Sequence, residues 1–146
     1  MTSAGTLVAA AFVTSFALAA SAAARSEQAP SSYPSCGKYR EGFGNPFTSQ
    51  LRADECIVRA RREGRKARLV VISSTIEGDP IVTYVFVNGR RPVLVVVDAT
   101  RDEFGPRVWM QRRCDRVSLR DGSLAFERCR TLRRGKPAWL KPVAIG

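Results

Sequence analysis

The sequence predicts an α+β fold: one N-terminal helix packed on an antiparallel sheet of about five strands, in two layers, ending in a disulfide-stapled C-terminal hairpin. Three observations carry this. Apolar residues keep a helical period up to Gly64 and then change to runs of Val and Ile. Turn signals at Gly78-Asp79-Pro80, Asn88-Gly89 and Asp121-Gly122 cut those runs to strand length. Cys114 and Cys129 stand symmetrically about Asp121-Gly122, a strong hairpin signal.

Residues 1–24 read as a signal peptide. They carry no charge, hold an apolar run from Leu7 to Ala20, and end in small residues before Arg25. The first five residues lack the usual Lys or Arg, so a retained membrane anchor is the rival reading. Against it, the run is short for a span of about 20 apolar residues. Residues 25–45 are rich in Ser, Pro and Gly and read as an irregular arm pinned by Cys36. A single domain is expected over 46–131, and a basic tail outside the core over 132–146.

The helix is expected from Pro46 to Glu63, with Asn45 or Thr48 as its cap. Ala53, Cys56, Ile57 and Ala60 form its apolar stripe, widened by Leu51 and Val58. Arginines load the last turn, where the helix dipole favours them, and Gly64 suits the C-cap. Strands follow over Leu69 to Ile76, Ile81 to Val87 and Val93 to Val97. In a two-residue Asn88-Gly89 hairpin, Pro92 would face Val85 and could donate nothing, so a longer loop or an edge strand is expected there.

A two-residue turn at Asp121-Gly122 pairs Arg120 with Ser123, Arg116 with Glu127, Asp115 with Arg128 and Cys114 with Cys129. Val117, Leu119, Leu124 and Phe126 then share the core face. The cysteines fall at a hydrogen-bonded pair, so a bulge or strain should follow. Cys56 lies on the buried helix face, which leaves Cys36–Cys56 as the second bridge. Disulfides point to folding outside the reducing cytosol, hence to a secreted protein.

The net charge is +11, and 20 of the 24 basic residues are Arg. Such a chain favours anionic partners, although positive charge also serves solubility. The chain has no His, which removes Ser-His-Asp and Cys-His catalysis and imidazole-based zinc sites. No cofactor and no metal are expected.

Two constellations stand out. Glu77, Asp79, Asp98 and Asp102 gather at one end of the predicted sheet, beside Glu103, Arg101 and Arg107. Three readings apply: turn and strand-end capping, a local Arg–carboxylate network, or an oxygen-ligand site of the kind that suits Ca²⁺. The second constellation is basic. Arg90 and Arg91 at a hairpin tip, Arg112 and Arg113, and Arg128, Arg130, Arg133, Arg134 and Lys136 toward the tail form a candidate anion-binding surface.

The block Thr75-Ile76-Glu77-Gly78-Asp79-Pro80-Ile81, followed by Asp98, by Asp102-Glu103-Phe104-Gly105 and by the cysteines about the hairpin, resembles a family of small exported proteins of Gram-positive bacteria. That family is known only as a domain of unknown function. The resemblance covers roughly Leu69 to Cys129 and implies export and one disulfide, with no activity attached. This chain departs from the lipoprotein members in its basic character and in lacking a lipobox.

The expectation is therefore a secreted, non-enzymatic, monomeric binding module. Its partner would be an anionic cell-envelope polymer or lipid. The alternative is a protein partner, with the domain acting as an interaction module or inhibitor of an extracellular enzyme. Nucleic acid is not expected as the main ligand, and an enzyme is the least favoured class.

Overall fold

Helix α1, Phe47–Arg62, ends where its sequence says it should. Gly64 takes a left-handed φ of 70°, Arg65 N–H donates to Ala60 C=O at 2.9 Å and Gly64 N–H to Arg61 C=O at 3.4 Å. This is a Schellman cap, and only glycine adopts that φ without strain. The structure, a computed structural model, describes residues 30–42 and 47–145. The expected signal peptide and the expected capping at Asn45 and Pro46 lie outside those residues.

The strands are β1 Ser35–Arg40, β2 Lys66–Ser74, β3 Pro80–Asn88, β4 Val93–Asp98, β5 Trp109–Cys114, β6 Arg116–Arg120, β7 Ser123–Glu127 and β8 Arg130–Arg134. Six of them form one sheet in the order β1-β2-β3-β4-β5-β8, and β6 pairs with β7 apart from it. The α+β class stands, with one helix and a mostly antiparallel sheet. The strand count differs from expectation because both ends of the chain join the sheet. Within the expected irregular arm, β1 runs parallel to β2. Together β1, α1 and β2 make a crossover unit, and the Cys36–Cys56 bridge ties β1 to the helix. The edge strand β8 crosses the expected boundary between domain and tail, with its last three residues from the tail.

Both faces of the sheet are covered, where one was expected. On the front, Ala53, Ile57, Val58 and Ala60 of α1 pack on Leu69, Val71, Val85, Val87, Val93 and Val95. On the back, Leu140, Trp139 and Val143 of the tail cover Val70, Val82, Tyr84, Phe86 and Val96. Pro137 and Leu140 are buried, so the tail belongs to the core rather than outside it. A strand covered on both faces has no solvent side, and this explains the unbroken apolar runs of β2, β3 and β4.

The C-terminal hairpin is longer than β6 and β7. Strands β5 and β8 are its base: Arg113 faces Arg130, and Met110 faces Arg134. Between base and tip the two chains leave the sheet and lie over its front face, where Val117, Leu119, Leu124 and Phe126 join the core. The bend falls at Cys114–Cys129, whose Cα atoms are 4.0 Å apart. The ladder of β6 and β7 stops at Arg116 and Glu127, and Arg128 takes a φ of 51°. The expected bulge is thus a break in the ladder. Above it the register is the one the turn dictates, from Arg116 opposite Glu127 to Arg120 opposite Ser123. Asp121 and Gly122 both have positive φ, as a type I′ turn requires.

Candidate functional site

Strand direction sorts the charged residues into two ends of the sheet. One end holds the β2–β3 turn, the β4–β5 loop and the exit of β1. The other holds the β3–β4 loop, the C-terminus of α1 and the Cys114–Cys129 bend.

At the first end the acidic residues are fixed by backbone amides. Asp79 Oδ2 accepts Glu103 N–H at 2.8 Å. Asp98 Oδ1 accepts the N–H and hydroxyl of Thr100 at 3.0 and 2.7 Å. Asp102 Oδ1 accepts Phe104 N–H at 3.1 Å and Gly105 N–H at 2.7 Å. Glu77 is exposed on the turn. Each aspartate therefore shapes its own turn or pins a neighbouring one. Among the described residues no group of three or more His, Cys, Asp or Glu is gathered to hold a metal ion. These loops also project Ile76, fully exposed, and Phe104, 77% exposed.

The second end is basic. Arg90 and Arg91 lie on the β3–β4 loop, which runs through Pro92 as its chemistry requires. Arg113 faces Arg130 across the ladder between β5 and β8. Two guanidinium-bearing side chains opposed on neighbouring strands are unfavourable in an empty site. The acids nearest in sequence are engaged elsewhere: Asp115 with Arg128 at 3.1 Å and Glu127 with Arg120 at 3.3 Å. Arg133 and Arg134 sit further along β8, beside Gln111 and Met110, so the predicted basic set is spread along an edge rather than gathered. Arg113, named with Arg112 in the basic set, is the member that the register opposes to Arg130.

Arg61 braces this end. Its guanidinium donates to Gly89 C=O at 2.8 Å and to Asp115 C=O at 3.4 Å, tying α1 to the β3–β4 loop and to the hairpin. This arginine is structural and is not offered to a ligand.

One buried polar pair has no part in either surface. Asp54 of α1 is fully buried, and its Oδ1 accepts the Tyr39 hydroxyl at 2.8 Å. Its Oδ2 has no hydrogen-bond partner among the described residues. Burial raises the Asp54 pKa to about 6; the Tyr39 bond opposes this and Glu41 adds to it. Burial, then the Asp54 bond, likewise hold the Tyr39 hydroxyl far above its ordinary range. Sequence reasoning missed this pair although a signal was present. Asp54 stands three residues after Leu51 and three before Ile57, inside the apolar stripe.

No family model, curated protein or solved structure matches this chain.

Proposed function

We propose that the protein is a secreted, disulfide-braced binding module whose arginine-rich sheet end holds an anionic component of the cell envelope. The observation that carries this is the Arg113–Arg130 rung beside the Arg90-Arg91 loop. Opposed like charges cost stability unless something anionic sits between them. The two disulfides support an oxidising setting, and export fits the resemblance over Leu69 to Cys129. The chain lacks His, and its aspartates serve turns, so the reading is non-enzymatic.

Binding of this kind is strongly screened by salt. The test is retention of long-chain polyphosphate, as a model envelope polyanion, at low and high salt. Arg90→Ala with Arg130→Ala should weaken retention by about tenfold or more. Arg52→Ala with Arg101→Ala removes the same charge elsewhere and should change it little. Equal loss in both pairs would mean that net charge alone acts, and would remove the site.

A second reading rests on Ile76 and Phe104, exposed at the opposite end on loops pinned by Asp79. Exposed apolar side chains on braced loops suit a protein partner. Capture of one envelope protein that survives high salt, and is lost in Phe104→Ala, would favour this reading over the first.

A further inference from the structure

We infer that the back face of the sheet, at its arginine-rich end, carries a cleft for a small amphiphilic oxyanion: an apolar body bearing one phosphate or carboxylate. The inference rests on the anion-binding reading above and gives that end a ligand class. Strand register lays a single row across five strands. Arg68 faces Phe86, Phe86 faces Leu94, Leu94 faces Arg113 and Arg113 faces Arg130. Facing residues share one side of a sheet and stand about 5 Å apart. The row therefore reads Arg, Phe, Leu, Arg, Arg, with carbon at its centre and guanidinium on both flanks.

Over that centre opens a cleft of about 280 Å³. Phe86, Leu94 and Arg113 line it from the sheet, and Tyr33, Arg91 and Pro92 complete its lining. Among the described residues lining it there is no carboxylate. The Tyr33 wall is fixed by the row itself. Arg68 Nε donates to Tyr33 C=O at 3.0 Å, and the Lys66 ammonium lies 5.3 Å from the Tyr33 ring centre.

Two chemistries meet in this cleft, and each alone leaves half of it unused. The planar guanidinium fork matches phosphate or carboxylate oxygens with paired hydrogen bonds. The carbon floor favours burial of ligand carbon away from water. A bare phosphate engages the guanidinium and leaves the floor wet. A neutral alcohol covers the floor and gives Arg113 no anion to bind. An anion with a short acyl body satisfies both.

The test is calorimetric titration of the oxidised protein with octyl phosphate, octanoate, inorganic phosphate and 1-octanol, each below its micelle concentration. Octyl phosphate or octanoate should bind about tenfold or more tightly than inorganic phosphate and 1-octanol. The tighter of the two identifies the head group. Arg113→Ala, at an exposed position, should weaken that ligand by about tenfold without lowering the thermal midpoint, while Arg52→Ala leaves the affinity unchanged. Equal affinity for octyl and inorganic phosphate would overturn the cleft, as would binding indifferent to Arg113→Ala. Polyphosphate retention read on the same samples separates the two readings. Retention without octyl phosphate binding sinks the cleft alone; octyl phosphate binding without retention sinks the broader surface and leaves the cleft standing.

Discussion

Asp54 is the residue at which burial and charge are most opposed. A carboxyl whose pKa rises on folding is held protonated more tightly by the folded chain than by the unfolded one. Its stabilising contribution is complete below the ordinary value near 3.8 and is lost as pH rises through about 6. The difference amounts to about 3 kcal/mol between pH 3 and pH 7, before other groups are added. Asp54→Asn keeps the shape and removes the titration. Urea unfolding from pH 4 to 7 should therefore show a slope in the wild type that is flattened in the variant, and parallel curves would refute the assignment. Gly105 is a second residue whose lack of a side chain matters locally. A Cβ there would collide with Asp102 Oδ2. Gly105→Ala must push the Asp102 carboxylate off the Phe104 and Gly105 amides. A loss of about 1–2 kcal/mol is expected, with faster amide exchange at both positions as its local signature.

At the scale of elements, the long hairpin is held to the rest by a disulfide and an arginine. The Cys114–Cys129 bridge spans 15 residues, and in the chain-entropy model a loop of that size contributes about 3 kcal/mol. Cys114→Ala with Cys129→Ala should lower the unfolding midpoint accordingly. Arg61→Ala leaves the carbonyls of Gly89 and Asp115 without their donor, for a further cost of about 1–3 kcal/mol. Both segments meet at the bend, so the combined variant should not be additive, and a double-mutant cycle measures the coupling. Strict additivity would show that helix, loop and hairpin are held independently. The hairpin tip, its register and both bridges were legible because Asp-Gly and cysteine spacing are local signals. So was the helix, whose period and Gly64 cap agree. Strand β1 was not: Ser-Cys-Gly-Lys-Tyr-Arg has no alternation, and it joins the sheet through a parallel ladder and a disulfide set by distant residues. The acidic set was found, but its meaning was not. Only the fold shows that Asp79 reaches the Glu103 amide across 24 residues.

The whole molecule is a sheet covered twice, by the helix and hairpin on one face and by the tail on the other. The second cover was foreshadowed in the sequence by strands apolar on both sides: Val70 and Ile72 alternate with Leu69 and Val71, and Tyr84 and Phe86 with Val85 and Val87. A two-layer fold would leave the back set in water, and the tail, basic as it is, carries the Trp and Leu that prevent this. Trp139 meets Phe86 edge to face at 5.2 Å, and Tyr84 accepts through its hydroxyl the Val143 N–H at 3.1 Å. The tail is thus held by packing, by the bonds of Gly135 with the Trp109 carbonyl and the Gln111 amide, and by the Val143 bond near its end. Leu140 is 4% exposed, and Leu140→Ala should cost about 2–5 kcal/mol, the range for removing a buried leucine side chain. Ending the chain after Lys136 goes further, since it uncovers Tyr84, Phe86 and Val96 together. That protein should bind a hydrophobic dye in its folded state and lose the wild-type unfolding midpoint, while α1 and the front core keep their far-ultraviolet signal. A truncated chain as stable as the full one would mean that the tail rests on the sheet without supporting it. The cleft adjoining Phe86 would then have to be sought on a surface open to water along its whole length.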